Sequence, residues 1–308
     1  MTNKEKYQKF CEMNKDIPIF SCWWWMEVVT NGTWDVLLYE KNNEVVGSLV
    51  YYRTKTEKGI VIQRPVLTQN NGIYIKYPKN IKAAQKAAMY EEIVNALLDG
   101  LEQLNIDYYE QNYHYSITNW LPMFWRGYHE ITRYTYVIED TSDMKRVESD
   151  FGASVRSSLK KAEKRVQIHE DITQEEFYKI IEKTFLRQNY KIPFSFELFK
   201  QLDDALVKQS CRKMYYAKDE QGNIHGATYF VWDNNSVYYL ISGADPEFRN
   251  SQAQTLLVYR GIQLAHELGK KFDFEGSVLP QVEPFVRRFG GVQKPYFRIS
   301  IEYKKDIV

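Results

Sequence analysis

Near its carboxyl end the chain carries Phe272-Asp273-Phe274-Glu275-Gly276-Ser277, an apolar strand pattern that ends in carboxylates and a hydroxyl. In open α/β sheets ligands bind beyond the carboxyl ends of strands, so polar groups ending a buried strand are site candidates. Direct acyl transfer to an amine needs a neutral attacking amine, a polarised carbonyl and a proton for the departing group. Glu275 is the acid/base candidate, with Asp273 and Asp245 behind it, while Ser277 and Tyr239 can donate to an oxyanion or leaving group. The competing structural reading has Glu275 capping a helix or pairing with Arg287 or Arg288, and Asp273 pointing into a buried network. Ser277 has no neighbouring His, and Cys211 no evident His partner, so a covalent nucleophile is not expected.

A second group of residues suits anions. Between Lys145 and Arg165 seven cations stand against three acids, and Arg156, Lys160 and Lys164 recur every four residues, which puts them on one helical face. That stripe suits the phosphates of a nucleotide-linked substrate or a tRNA end; its bland alternative is a solvated face neutralised by Glu163 and its neighbours. The loop Gln69-Asn70-Asn71-Gly72 can hydrogen-bond an acceptor sugar or peptide, and equally reads as a plain turn.

These residues must be positioned by α/β elements, and the pattern occurs twice. Trp34 to Glu40 and Val45 to Tyr52 form one expected hairpin; Met214 to Lys218 and Ile224 to Trp232 form another. Each follows an amphipathic helical segment, Trp23 to Val29 or Glu197 to Val207. Each half continues through a strand, a loop, a long helix (Lys82 to Leu104; Ala253 to Leu268) and a further strand (Tyr108 to Glu110; Phe272 to Phe274). The expectation is two domains, 1–140 and 141–308, packed together without a low-complexity linker. Most of the 24 tyrosines are read as core and sheet residues.

At 308 residues and net charge +1, the chain carries no broad field for duplex DNA or an anionic membrane. No apolar run has the length of a membrane span, the amino terminus lacks the apolar core of a secretion signal, and three scattered cysteines form no metal-binding or disulfide pattern. A reduced, cytoplasmic, metal-free protein is expected.

The motifs Pro65-Val66-Leu67-Thr68-Gln69, Arg133-Tyr134-Thr135-Tyr136, Arg156 with Lys160-Lys161-Ala162-Glu163-Lys164, and Asp273-Phe274-Glu275-Gly276-Ser277 with Phe289-Gly290-Gly291 resemble a FemAB-related protein of the N-acetyltransferase (GNAT) superfamily. The resemblance runs from Phe20 to Ile301 and implies an α/β (α+β) fold of two tandem GNAT-like domains with mixed, mostly antiparallel sheets. It also implies acyl or aminoacyl transfer to an amine, here of a small-molecule or nucleotide-linked cell-envelope or polysaccharide precursor, and marks Gln69, Arg133 and Tyr134 with Arg156, Lys160 and Lys164 as substrate-binding candidates.

In such a fold the donor's pyrophosphate rests on a Gly-rich loop, matched here by Arg249-Asn250-Ser251-Gln252-Ala253-Gln254, which makes Arg249, Gln252 and Ala253 the donor-binding candidates. Both glycines of the usual pattern are glutamines, which counts against close backbone approach to coenzyme A. Fem ligases use aminoacyl-tRNA, but this chain has no excursion resembling their long tRNA-gripping helical hairpin. Acyl-CoA or another thioester is therefore the leading donor, with no permanently bound cofactor. Aminoacyl-tRNA is the alternative, and a degenerate nucleotide-sugar or peptide binder is the non-enzymatic one.

Overall fold

The computed structural model describes residues 1–187, 189–276 and 278–303. The chain divides into two compact units, Met1–Arg133 with the chain from Pro295 onward, and Tyr134–Lys294.

In the first unit, α1 (Asn3–Met13) opens on a capping box in which Thr2 accepts from the Glu5 amide, and α2 (Trp23–Val29) buries Trp25 and Met26. β1 (Trp34–Lys41) and β2 (Glu44–Thr56) form the expected hairpin; Asn42 and Asn43 turn it with positive φ, which Asn tolerates. β3 (Gly59–Ile62) pairs with the end of β2, and β4 (Ile73–Ile75) with its beginning. β3 stops at Ile62 although the apolar run goes on to Val66 and Leu67; Pro65 cannot donate to a ladder, and Leu67 takes a positive φ. α3 (Ala83–Glu102) lays Ile93, Val94, Leu97, Leu98 and Leu101 on the sheet and returns the chain to β5 (Tyr108–Asn112), parallel to β3. α4 (Leu121–Trp125) leads into β6 (His129–Ile138), within which the chain crosses into the second unit.

The second unit begins with the Tyr134–Ile138 half of β6, then α5 (Met144–Ser149), α6 (Ala153–Ala162), β7 (Gln167–His169), α7 (Gln174–Arg187) and α8 (Phe196–Lys208). β8 (Arg212–Lys218), β9 (Ile224–Trp232) and β10 (Ser236–Ala244) form an antiparallel meander. A 3-10 turn (Pro246–Ser251) leads to α9 (Ala253–Glu267), followed by β11 (Lys271–Asp273) and α10 (Glu283–Arg287). Strand order here is β6-β11-β10-β9-β8-β7, with β10/β11 its parallel pair. α9 buries Leu257, Val258, Ile262 and Ala265 in a core with Phe230, Phe272 and Phe274. Burial of such side chains supplies about 1.5–3 kcal/mol each and fixes α9 on the sheet.

β12 (Val292–Glu302) departs from the expected division at 140/141. The closing strand was assigned to the second domain, but from Pro295 it belongs to the first unit, where Arg298–Glu302 pair antiparallel with Asn112–Tyr108 of β5 and Ile299 is fully buried. Ladder partners far apart in sequence leave no local signal. Helix α7 was likewise not anticipated.

Candidate active site

In the second unit the β10/β11 ladder runs from Ser236↔Lys271 and ends at Tyr238↔Asp273, whereas β10 continues beside β9 to Ala244, past a bulge between Tyr239 and Ile241. Beyond that point β10 carries Tyr239, and Glu275 follows two residues after the end of β11. The structure therefore brings these two sequence candidates to the same end of one strand pair. Ser277 lies outside the described residues.

Asp273 is 3% exposed, and its Oδ1 accepts from Thr135 Oγ1 (2.6 Å) and from the Glu275 amide (2.8 Å). Burial raises its pKa to about 6, against the lowering effect of those two donors. It thus occupies the buried network weighed as its structural alternative, and it holds the backbone of Glu275. Glu275, 9% exposed, sits at φ 55°, and Gly276 follows at φ 59°. A Cβ on Gly276 would stand 2.1 Å from the Tyr134 carbonyl oxygen, so only glycine lets β11 turn there. The arginines offered as partners of Glu275 are engaged elsewhere: Arg287 with Glu283 (3.8 Å), and Arg288 Nε with the Pro284 carbonyl (2.6 Å).

Tyr239 is half-buried, and burial pushes its phenol up to about 12, so it stays protonated near neutrality. Its oxygen accepts from Gln254 Nε2 at 2.6 Å. Sequence reading treated Gln254 only as a missing glycine, since spacing does not say whether a first-turn side chain points outward or into the sheet.

The start of α9 is closed around itself. Gln252 adopts the left-handed conformation (φ 65°, ψ 20°) that a glycine would take, and Ser158 of α6 donates to its side chain (3.1 Å). The Ala253 amide is taken by Ser251 Oγ (3.2 Å) and the Thr255 amide by the Gln252 carbonyl (3.0 Å). The Gln252 and Ala253 amides, which would face a pyrophosphate, are thus engaged within the loop, and that counts against coenzyme A held on them. Arg249 is exposed and makes no ion pair among the described residues, and nearby Asp245 is bound by Lys183 (2.6 Å).

The basic face of α6 borders this loop, for Arg165 Nη1 donates to the Asn250 carbonyl at 2.8 Å. Arg156, Lys160, Lys161, Lys164 and Arg165 are exposed, and among the described residues none is ion-paired, Glu163 included among the acids that leave them free. Arg156 is used partly for structure, donating to the Phe151 carbonyl. A polar cleft of about 520 Å³ opens beside them, lined by Lys164, Arg165, Lys218, Glu247 and Phe248 and by His225, whose Nε2 meets Asp219 (3.0 Å).

The remaining candidates fall differently. In the first unit Gln69 Nε2 donates to the Tyr296 hydroxyl (3.2 Å), and its carbonyl accepts from Asn112, so the Gln69–Gly72 loop is pinned by its own unit. Arg133 lies half-buried in the same unit. Tyr134, in the second unit, is 39% exposed and supplies the carbonyl facing Gly276. Among the described residues no His, Cys, Asp and Glu cluster could hold a metal ion, and no helix is long and apolar enough to cross a membrane.

Residues 149–284 match the acetyltransferase (GNAT) domain family. Among solved structures, FemX is similar over 96% of both chains (TM-score 0.70, 14% identity). The C-terminal domain of a putative lysylphosphatidylglycerol synthetase from Agrobacterium fabrum is similar over 97% of this chain and 92% of that one (TM-score 0.60, 8% identity). A tandem GNAT protein from the clavulanic acid biosynthesis pathway is similar over 99% and 96% (TM-score 0.54, 10% identity). No curated protein matches the sequence. At these identities the likeness to solved structures carries the tandem GNAT fold, and the family match carries acyl transfer. The chain carries an acetyltransferase (GNAT) domain at residues 149–284, within a fold like that of FemX and of the tandem GNAT protein.

Proposed function

We propose that the protein moves an aminoacyl or acyl group from a phosphate-rich carrier, charged tRNA before acyl-CoA, to an amine of a cell-envelope precursor. The observation that carries this reading is the row of five exposed, unpaired cations on and after α6, tied to the α9 loop through Ser158–Gln252 and Arg165–Asn250. Side-chain cations recognise a polyanion where engaged amides do not. The envelope acceptor is supported by the names of two similar structures, FemX and a lysylphosphatidylglycerol synthetase.

In this reading Glu275 takes the proton of the attacking ammonium, and the neutral nitrogen forms a bond to the acyl carbon. The tetrahedral oxyanion collapses, breaking the bond to the carrier oxygen, which receives its proton from the Tyr239 hydroxyl; the second proton of the now cationic nitrogen passes to the Tyr239 oxygen, leaving a neutral amide and a restored phenol, and Glu275 releases its proton to solvent. Asp273 and Thr135 position Glu275 without touching substrate.

The test measures binding and turnover with alanyl-tRNA and with acetyl-CoA at several salt concentrations. Expected is tRNA binding whose salt slope drops by roughly 0.7–0.9 for each of Lys160 and Lys164 changed to Gln. Glu275→Gln should retain binding and lose turnover. Saturable binding of acetyl-CoA with none of alanyl-tRNA would overturn the donor assignment.

A further inference from the structure

The contact between α9 and β10 has a consequence for the leaving-group proton. Gln254 occupies a position where the related pattern has glycine, yet its side chain turns into the sheet: Nε2 lies 2.6 Å from the Tyr239 oxygen, and Oε1 is buried without a hydrogen-bond partner among the described residues. An amide nitrogen can only donate, so the Tyr239 oxygen is the acceptor and its own O–H must point elsewhere. A phenol held this way is kept protonated by burial and has its proton directed away from α9. The same side chain reaches from the first turn of the helix beside the cationic face of α6, so it links the donor loop to the proton donor.

We infer that Gln254 is a positioning residue for Tyr239, setting the direction of the phenolic proton from the donor loop. This rests on the reading of Tyr239 as proton donor to the carrier. Methionine at 254 keeps the length and volume but cannot donate. Glutamate reverses the bond, since an ionised carboxylate accepts the phenolic proton and turns it inward.

The experiment uses the full chain labelled with 13Cζ-tyrosine, the Tyr239 resonance being assigned by its loss in Tyr239→Phe. Gln254→Met and Gln254→Glu should both move that resonance, in opposite directions, with the folded spectrum otherwise retained. In turnover, Gln254→Met should lower kcat roughly tenfold with little change in KM, and should cost nothing further when added to Tyr239→Phe. An unmoved resonance in both variants overturns the inference. So does a Gln254→Met loss that persists undiminished in the Tyr239→Phe background. If no donor supports turnover, the resonance still decides the contact, so failure of the functional reading is distinguishable from failure of this one.

Discussion

Thr135 and Asp273 join β6 to β11 through a 2.6 Å hydrogen bond, and that single carboxylate also holds the Glu275 amide. The pKa of Asp273 is raised from 3.8 to about 6 by burial. A carboxyl raised in the folded state binds its proton more tightly there than in the unfolded chain. Its contribution is therefore fully present below pH 4 and is lost as pH climbs to 6. Asp273→Asn, which keeps both accepted bonds, should flatten the stability profile between pH 4 and 7, removing a change on the order of 3 kcal/mol. Urea midpoints across that range measure it, and a wild-type profile that rises from pH 4 to 6 more steeply than the variant's would contradict it.

Gly276 is the next test of the same corner. A side chain there meets the Tyr134 carbonyl at 2.1 Å and must also hold φ 59°. Gly276→Ala should cost more than about 2 kcal/mol in thermal unfolding, because steric overlap adds to left-handed strain. At Gly222, where φ is also positive but nothing stands within 4 Å, the same change should cost only about 1 kcal/mol.

A structural carboxylate of the second unit gives a contrasting prediction. Asp203 is 1% exposed and accepts from Tyr229 (2.5 Å) and Gln174 (2.6 Å) while pairing with Arg212 (2.9 Å). Asp203→Ala should destabilise by roughly 2–3 kcal/mol, since it leaves the half-buried Arg212 guanidinium and the buried Tyr229 hydroxyl without their acceptor. Asp203→Ala combined with Arg212→Met should recover part of that loss in chemical denaturation.

The thiols should be quiet. Burial raises Cys11 to about 11 and Cys211 to about 12. At pH 8 roughly one Cys11 thiol in a thousand is then ionised, fewer at Cys211, so both should label with an aromatic disulfide far more slowly in the native protein than in urea. Fast native labelling of Cys211 would reopen the question of a covalent nucleophile.

Local pattern determined much of this protein. Trp23–Val29, Ile224–Trp232 and the start of α9 at Ala253 were legible because their apolar periods, and the turns between them, are properties of neighbouring residues. Tyr239 was legible as a polar group on a strand, and Glu275 as one just past a strand's end. Only the tertiary structure decided what each side chain meets. Thr135 stands 138 positions from Asp273, and β12 finds β5 across most of the chain. Whether Gln254 faces a phosphate or a tyrosine depends on how α9 lies on the sheet. Such contacts are set by the packing of whole elements, where the entropy of long loop closure is repaid by burial, and residue spacing holds no record of them.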